Sequence, residues 1–429
     1  MFNTISMIGL GYIGLPTATL LAARGKKVIG VDISQLVVDT INKGEIHIVE
    51  PELDMLVKAA VASGYLRATT KPEPAEAFLI AVPTPFSDDH KPDLSYIKAA
   101  AISIAPVLKK GDLVILESTA PVGTTEKLAE WLAQERPMLS FPQHDAETAD
   151  IQVAYCPERV LPGRVVHELV ENDRVIGGMS RAATFMAASL YKIFVQGDLI
   201  AANARTAEMC KLTENSYRDV NIAFANELSI ICEKLDIDVW ELISLANRHP
   251  RVNILHPGAG VGGHCIAVDP WFIIDAVPDE ARITRTAREV NDYKSDWVFD
   301  KIKTKITDVL DAQPFKSMAD VKVACLGLAF KPDIDDLRES PAVEITEKVA
   351  HLGCQVQAVE PNIEVLTGKL VKPNLKLMPL EAALNCADVV CVLVKHRSFV
   401  EMVSEISKHL RVVDCVGLIA KSNMIEERS

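Results

Sequence analysis

Over roughly the first 190 residues, short apolar runs of strand length alternate with amphipathic windows of helical period. Ile5–Ile8, Lys27–Val31, Phe78–Val82, Leu113–Leu116 and Val153–Tyr155 read as strands; Pro16–Arg24, Pro51–Ala62, Ser95–Leu108 and Thr125–Gln134 read as helices. Such alternation predicts a parallel sheet joined by crossover helices. The breaker-rich stretch Arg136–Asp150 interrupts the rhythm and predicts a surface loop. From Arg205 to Leu235 the pattern becomes one long helix without Gly or Pro, followed by shorter helical stretches. The strand–helix rhythm resumes at Val321–Gly327, Gln355–Val359, Val389–Val394 and Arg411–Asp414. The expected fold class is α/β: two doubly wound parallel-sheet domains, residues 1–200 and 313–429, joined by a central helical module at 201–312.

The first strand runs into Gly9-Leu10-Gly11-Tyr12-Ile13-Gly14, and the second closes on Asp32. Glycines there permit a tight turn and close approach of a pyrophosphate, while the following helix aims its first amides at that charge. Asp32 stands at the distance suited to a ribose 2′-hydroxyl. Ile33, Ser34 and Gln35 follow it, so no arginine compensates a 2′-phosphate, and NAD is favoured over NADP.

Composition changes this picture little. The chain has 429 residues, 49% hydrophobic and 24% charged, and its apolar runs fall short of a membrane span. A soluble, cytoplasmic protein with no membrane partner is expected. A net charge of -13 disfavours nucleic-acid binding and requires local Lys and Arg wherever an anionic substrate sits. The nine cysteines are scattered without a CxxC pair, which argues against a disulfide framework and a structural zinc site.

One cysteine stands apart. Cys265 lies in Gly260-Val261-Gly262-Gly263-His264-Cys265-Ile266-Ala267-Val268-Asp269-Pro270, where glycines bare the backbone to a ligand instead of filling a core. A nicotinamide cofactor takes hydride from an alcohol directly, but an aldehyde must first gain a nucleophile, and a thiolate supplies one. The pairing points to a four-electron oxidation of an alcohol to an acid. Asp269 is either a base or a cap for a helix starting at Pro270.

On the long helix, Glu208, Lys211, Asn215 and Arg218 share one face that continues through Ile222 and Ala225, so it does not simply meet water. A lysine there suits an alkoxide or its proton, and Asn215 suits a bound hydroxyl or water. Strand ends add Thr119 and Thr125, cofactor contacts or ordinary turn residues, and Glu158 beside Arg159, a water-orienting group or a surface pair. Lys331 and Arg338 are either phosphate-binding or solvated.

These segments, with Val82-Pro83-Thr84-Pro85, Ser118-Thr119-Ala120-Pro121-Val122-Gly123, Pro157-Glu158-Arg159 and Gly327-Leu328-Ala329-Phe330-Lys331, resemble the UDP-glucose/GDP-mannose dehydrogenases over essentially the whole chain. The resemblance implies two Rossmann-like domains bridged by a long helix that forms a homodimer interface, and oxidation of a nucleotide sugar at C6 with two NAD and one water. It implies that Cys265 forms a thiohemiacetal and then a thioester, with Lys211 exchanging protons with the substrate oxygen. Asn215, Asp269 and Glu158 would support that chemistry. It further implies that Gly9, Gly11, Tyr12, Ile13, Gly14, Asp32, Thr84, Thr119, Thr125 and Arg338 contact NAD. Arg159, Val160, Lys211, Asn215, Arg218, His249, Arg251, Gly262, Phe330 and Lys331 would hold the UDP-sugar, Arg251 from across the dimer. Members acting on UDP-glucose carry an aromatic, a proline and a lysine after the cysteine; Ile266, Ala267 and Val268 depart from that. Here the resemblance is to members that oxidise UDP-N-acetyl-D-mannosamine.

Overall fold

A computed structural model describes residues 2–48, 50–87, 89–160, 163–263 and 265–419. Its strands are β1 Thr4–Ile8, β2 Lys27–Val31, β3 Leu66–Thr69, β4 Ala77–Ile80, β5 Leu113–Leu116, β6 Gln152–Tyr155, β7 Arg174–Gly178, β8 Leu199–Asn203, β9 Lys322–Leu326, β10 Gln355–Val359, β11 Leu375–Leu377, β12 Val389–Val392 and β13 Val412–Asp414. They form two sheets, ordered β3-β2-β1-β4-β5-β6-β7-β8 and β11-β10-β9-β12-β13. Each order reverses beside its first strand, and the crevice at the carboxyl ends there is where such sheets receive ligands.

Every residue of β4, β5 and β6 is buried, because helices cover both sheet faces; that is why these strands read as continuous apolar runs and not as alternation. The wholly parallel expectation needs one correction. β7 runs antiparallel to β6, pairing Ala154 with Gly178, and the link between them carries only the seven-residue helix Val165–Glu171. An antiparallel neighbour needs no crossover helix packed back across the sheet.

Contacts gather the chain into two units, residues 1–214 with 271–276, and 215–270 with 277–429. The helix Ala204–Lys234 begins in the first and continues into the second. In the second unit a helix of equal length, Arg282–Ala312, buries Ala287, Asn291, Lys294, Val298, Ile302, Ile306 and Val309 along one stripe. A buried polar clasp fixes it to the long helix: Arg288 donates to Asp219 at 2.7 Å and Asn291 to the same carboxylate at 2.8 Å. Among the described residues no helix is long and apolar enough to cross a membrane.

Candidate active site

In the first unit, β1 delivers the chain into the glycine turn and the helix Gly14–Ala23 leaves it. Gly9 has φ +90°, and a Cβ there would lie 2.3 Å from the Ala81 carbonyl oxygen, so no side chain fits. The equivalent position on Gly11 meets nothing within 4 Å, leaving open space over the backbone where a pyrophosphate would rest. Asp32 accepts the Leu10 amide at 3.1 Å and the Ser34 amide at 2.9 Å, holding the turn against the end of β2. Ser118 clasps the ends of β4 and β5, accepting from the Val82 amide at 2.9 Å and donating to the Val82 carbonyl at 2.7 Å. Thr84 follows the first strand end with its hydroxyl buried and without a hydrogen-bond partner, and half-buried Thr119 follows the second. Tyr12 is exposed and Ile13 half-buried. Open room at Gly11, an acceptor at Asp32 and an unused hydroxyl at Thr84 fit a dinucleotide. Thr125 is placed differently: it is fully buried and its hydroxyl donates to Glu208 at 2.6 Å.

Glu208 has a structural role that the sequence pattern did not reveal. Its carboxylate accepts the Gly123 amide at 2.6 Å and the Thr125 amide at 2.7 Å, capping the helix Thr124–Glu135 from a distant part of the chain. The signal was available: an acid on a face that continues into apolar residues must find donors inside the fold. Glu208→Ala is expected to destabilise the protein by about 3 kcal/mol, since three buried donors lose their acceptor. Urea unfolding measures it, and a change below about 1 kcal/mol would refute the capping account.

Beyond β6, Glu158 is half-buried, with one carboxylate oxygen fully covered and lacking a hydrogen-bond partner among the described residues. Burial pushes its pKa up to about 7, against the opposing pull of the Lys211 and Arg174 charges. Lys211 donates from Nζ to the Glu158 carbonyl oxygen at 2.7 Å. Arg159 pairs with Glu214 at 2.7 Å, and Val160 packs on the sheet's apolar core. Glu50 receives the amides of Gly163 and Val165 at 2.9 and 2.7 Å, anchoring the exit of this segment.

In the second unit, Cys265 is half-buried, and its carbonyl accepts the amides of Val268 and Asp269 at 3.1 and 2.9 Å, a turn leading into the helix Asp269–Ala276. Among the described residues the cysteines form no disulfide. Asp269 is buried and accepts from the Asn215 amide group, so one turn beyond Lys211 the long helix fixes the carboxylate that follows the cysteine. His264 lies outside the described residues.

The glycines before Cys265 make room for another part of the protein. A Cβ on Gly262 would lie 2.3 Å from the Glu339 carbonyl oxygen, and one on Gly263, at φ +83°, would lie 2.9 Å from the Phe330 ring. On the side where a Cβ would lie they admit the protein's own Phe330 and the 339 backbone. Phe330 and Lys331 are half-buried on the loop after β9, and exposed Arg338 pairs with Asp336 at 2.6 Å. The Leu328 and Ala329 amides at that turn are taken by buried Glu360 at 2.8 and 3.0 Å. His249 and Arg251 are exposed on a loop stapled by Asn247, which donates to Ile254 at 2.9 Å and accepts from it at 2.7 Å; Arg218 is exposed as well.

A dinucleotide turn in one unit and a cysteine loop seated on a second doubly wound sheet in the other define a class of enzyme. Residues 3–195, 205–293 and 324–421 match in order the NAD binding, central and UDP binding domains of the UDP-glucose/GDP-mannose dehydrogenase family, and the chain belongs to that family as an NAD-dependent nucleotide-sugar dehydrogenase. It is 64% identical over 407 residues to a UDP-N-acetyl-D-mannosamine dehydrogenase of Campylobacter jejuni, across 94% of this chain and 98% of that protein. An NDP-N-acetyl-D-galactosaminuronic acid dehydrogenase of Ralstonia nicotianae is 61% identical over 419 residues, 97% of this chain and 96% of its own length. The solved structure of the UDP-N-acetyl-mannosamine dehydrogenase Cap5O from S. aureus superposes with a TM-score of 0.84 at 40% identity, covering 97% of this chain and 95% of that one.

Proposed function

We propose that the protein oxidises UDP-N-acetyl-D-mannosamine at C6 to the uronate in the cytoplasm, through a thioester on Cys265. The observation that carries this substrate is the 64% identity to a relative of that name across nearly the full length of both chains. The turn at Gly9, Gly11 and Gly14 with Asp32 and Thr84 would hold NAD, which would supply the hydride acceptor for both oxidations. Lys211 takes up the charge and proton of the C6 oxygen as the alcohol becomes an aldehyde. The Cys265 thiolate then adds to the aldehyde carbon, giving a tetrahedral thiohemiacetal from which a second hydride can leave, so the sulfur ends as a thioester. Asn215 and Asp269 orient the groups around this carbon. Glu158 removes a proton from water as it attacks the thioester, and the thiol departs, regenerating the enzyme. Two hydrides and one water account for the four-electron change.

A second reading has direct support, because the Ralstonia relative named for an N-acetylgalactosaminuronate is 61% identical. A panel of UDP-N-acetylmannosamine, UDP-N-acetylgalactosamine, UDP-N-acetylglucosamine and UDP-glucose, each with NAD, separates them by NADH production. The manno epimer is expected to give the highest kcat/KM and two NADH per sugar. A higher value for another epimer, or one NADH per sugar, would overturn the assignment. An NAD-binding sensor without turnover would give no NADH with any of them.

The ionised form of Glu158 does the work, and its pKa is raised to about 7. Acid release is therefore expected to climb as pH rises through 7 and level off above it, and Glu158→Gln should lose that limb. An unchanged limb in the variant would remove Glu158 from the hydrolytic step.

A homodimer is also proposed, through the long helix. Tyr217, Phe224 and Ile231 recur every seventh residue on it and are 70, 50 and 44% exposed, an apolar stripe with the spacing of a helix–helix seam. Phe224→Asp is expected to weaken association by about 2 kcal/mol or more. Sedimentation would show a monomer at concentrations where the parent is dimeric; an unaltered dimer would refute this interface.

A further inference from the structure

Behind Glu158 lies a group of buried charges that none of the steps above uses. Arg174 opens β7 and is 4% exposed, yet among the described residues no carboxylate stands within ion-pair distance of its guanidinium. It lies instead over the rings of Tyr191 and Phe194, 4.8 and 5.7 Å from their centroids, with one nitrogen 3.9 Å from the Cys156 sulfur. Tyr191 is fully buried and donates to Glu117 at 2.6 Å; the other oxygen of Glu117 has no partner. Glu117 directly follows the fifth strand and Cys156 the sixth, two residues before Glu158.

A guanidinium does not discharge inside a protein, and a buried one without a contact partner must be balanced by charges nearby. Two carboxyls, buried Glu117 and half-buried Glu158, feel it, and both are lowered by the Arg174 charge although desolvation dominates and raises them. One cation balances one anion. The tyrosine hydroxyl donates to Glu117 and so favours its ionised form, which leaves Glu158 the carboxyl that exchanges a proton.

We infer that Arg174, Glu117 and Tyr191 form a buried positioning network that sets the charge state of the Glu158 carboxyl for its encounter with the hydrolytic water. The inference rests on the reading of Glu158 as the base in thioester hydrolysis. Arg174 and Glu117 act on Glu158 with opposite sign, Lys211 adds to the attraction from the long helix, and Cys156 and Tyr191 remain neutral because burial raises both. Removing the cation makes Glu158 harder to ionise; removing the neighbouring acid makes it easier.

The test uses the full-length protein. Infrared difference spectra between each protein and its Glu158→Gln partner isolate the protonated carboxyl stretch of Glu158 and follow its titration without turnover. Arg174→Met is expected to move the midpoint up by about one pH unit or more, Glu117→Gln to move it down by a comparable amount, and Arg174→Lys to restore most of the shift. The pH limb of acid release, with UDP-N-acetyl-D-mannosamine and NAD, should move in the same directions. General loosening of the fold would not produce displacements of opposite sign. Should Arg174→Met fail to fold, the isosteric Glu117→Gln still decides the matter. Midpoints unmoved, or both moved the same way, would overturn the network. A limb that survives Glu158→Gln while the infrared midpoints shift as expected would instead overturn the hydrolytic role and leave the network standing.

Discussion

Replacing Cys265 with serine is expected to abolish acid release, lowering kcat by on the order of 10⁴-fold or more. A serine hydroxyl is far less ionised than a thiol at neutral pH and adds poorly to an aldehyde. The first oxidation needs no nucleophile, so the variant should still remove one hydride per sugar, slowly and reversibly, and leave the aldehyde or its hydrate. Counting NADH per sugar and weighing the product by mass spectrometry distinguishes the outcomes. Two NADH and free uronate at the parent rate would rule out a thioester route. Alternative structural roles for this sulfur predict unfolding instead, which a melting curve of the same sample would reveal.

Lys211→Ala is expected to slow turnover by about 10²- to 10³-fold, the loss that follows removal of one charge stabilising a developing oxyanion. Both hydride transfers should slow together, because each passes through a negatively charged C6 oxygen. The same change removes a cation that favours ionised Glu158, so the limb near pH 7 should move to higher pH. Lys211→Arg keeps the charge but spreads it over a planar fork and should recover the pH limb better than the rate. A variant with normal kcat, or with a limb moved to lower pH, would exclude these roles for Lys211.

Much of this architecture was legible in the chain. β2, β5 and β10 begin and end where the expected strands do; β5, covered on both faces, shows itself as an unbroken apolar segment, while Lys27 opens β2 and two glutamines interrupt β10. The long helix falls within one residue of the expected Arg205–Leu235 at each end. Four strands carry no strong pattern: β3 is short and alternates, β7 is wholly buried but has an arginine and two glycines in its five residues, β8 has mostly exposed or half-exposed residues, and β11 has only three. The helix Gln35–Asn42 was missed although Ser34 caps it, accepting the Val37 amide at 3.4 Å. Within the site, short local motifs mark the candidate residues in the sequence, whereas pairings between distant positions leave no such mark. Glu208 on Thr125, 83 positions away, and Tyr191 on Glu117, 74 away, leave no mark on neighbouring residues. The glycines at 262 and 263 mark a close approach in the sequence but do not say of what; on the Cβ side the structure places Phe330.

The Asp32 carboxylate has a second consequence for how the enzyme discriminates between cofactors. It repels a 2′-phosphate and at the same time carries the hydrogen bonds of Leu10 and Ser34. Replacing it by an apolar residue to admit a phosphorylated dinucleotide would strip two amides of their acceptor and loosen the turn proposed to hold the pyrophosphate. Specificity and scaffold share one side chain, so a lineage or an engineer seeking the other coenzyme must rebuild the loop and not merely erase a charge.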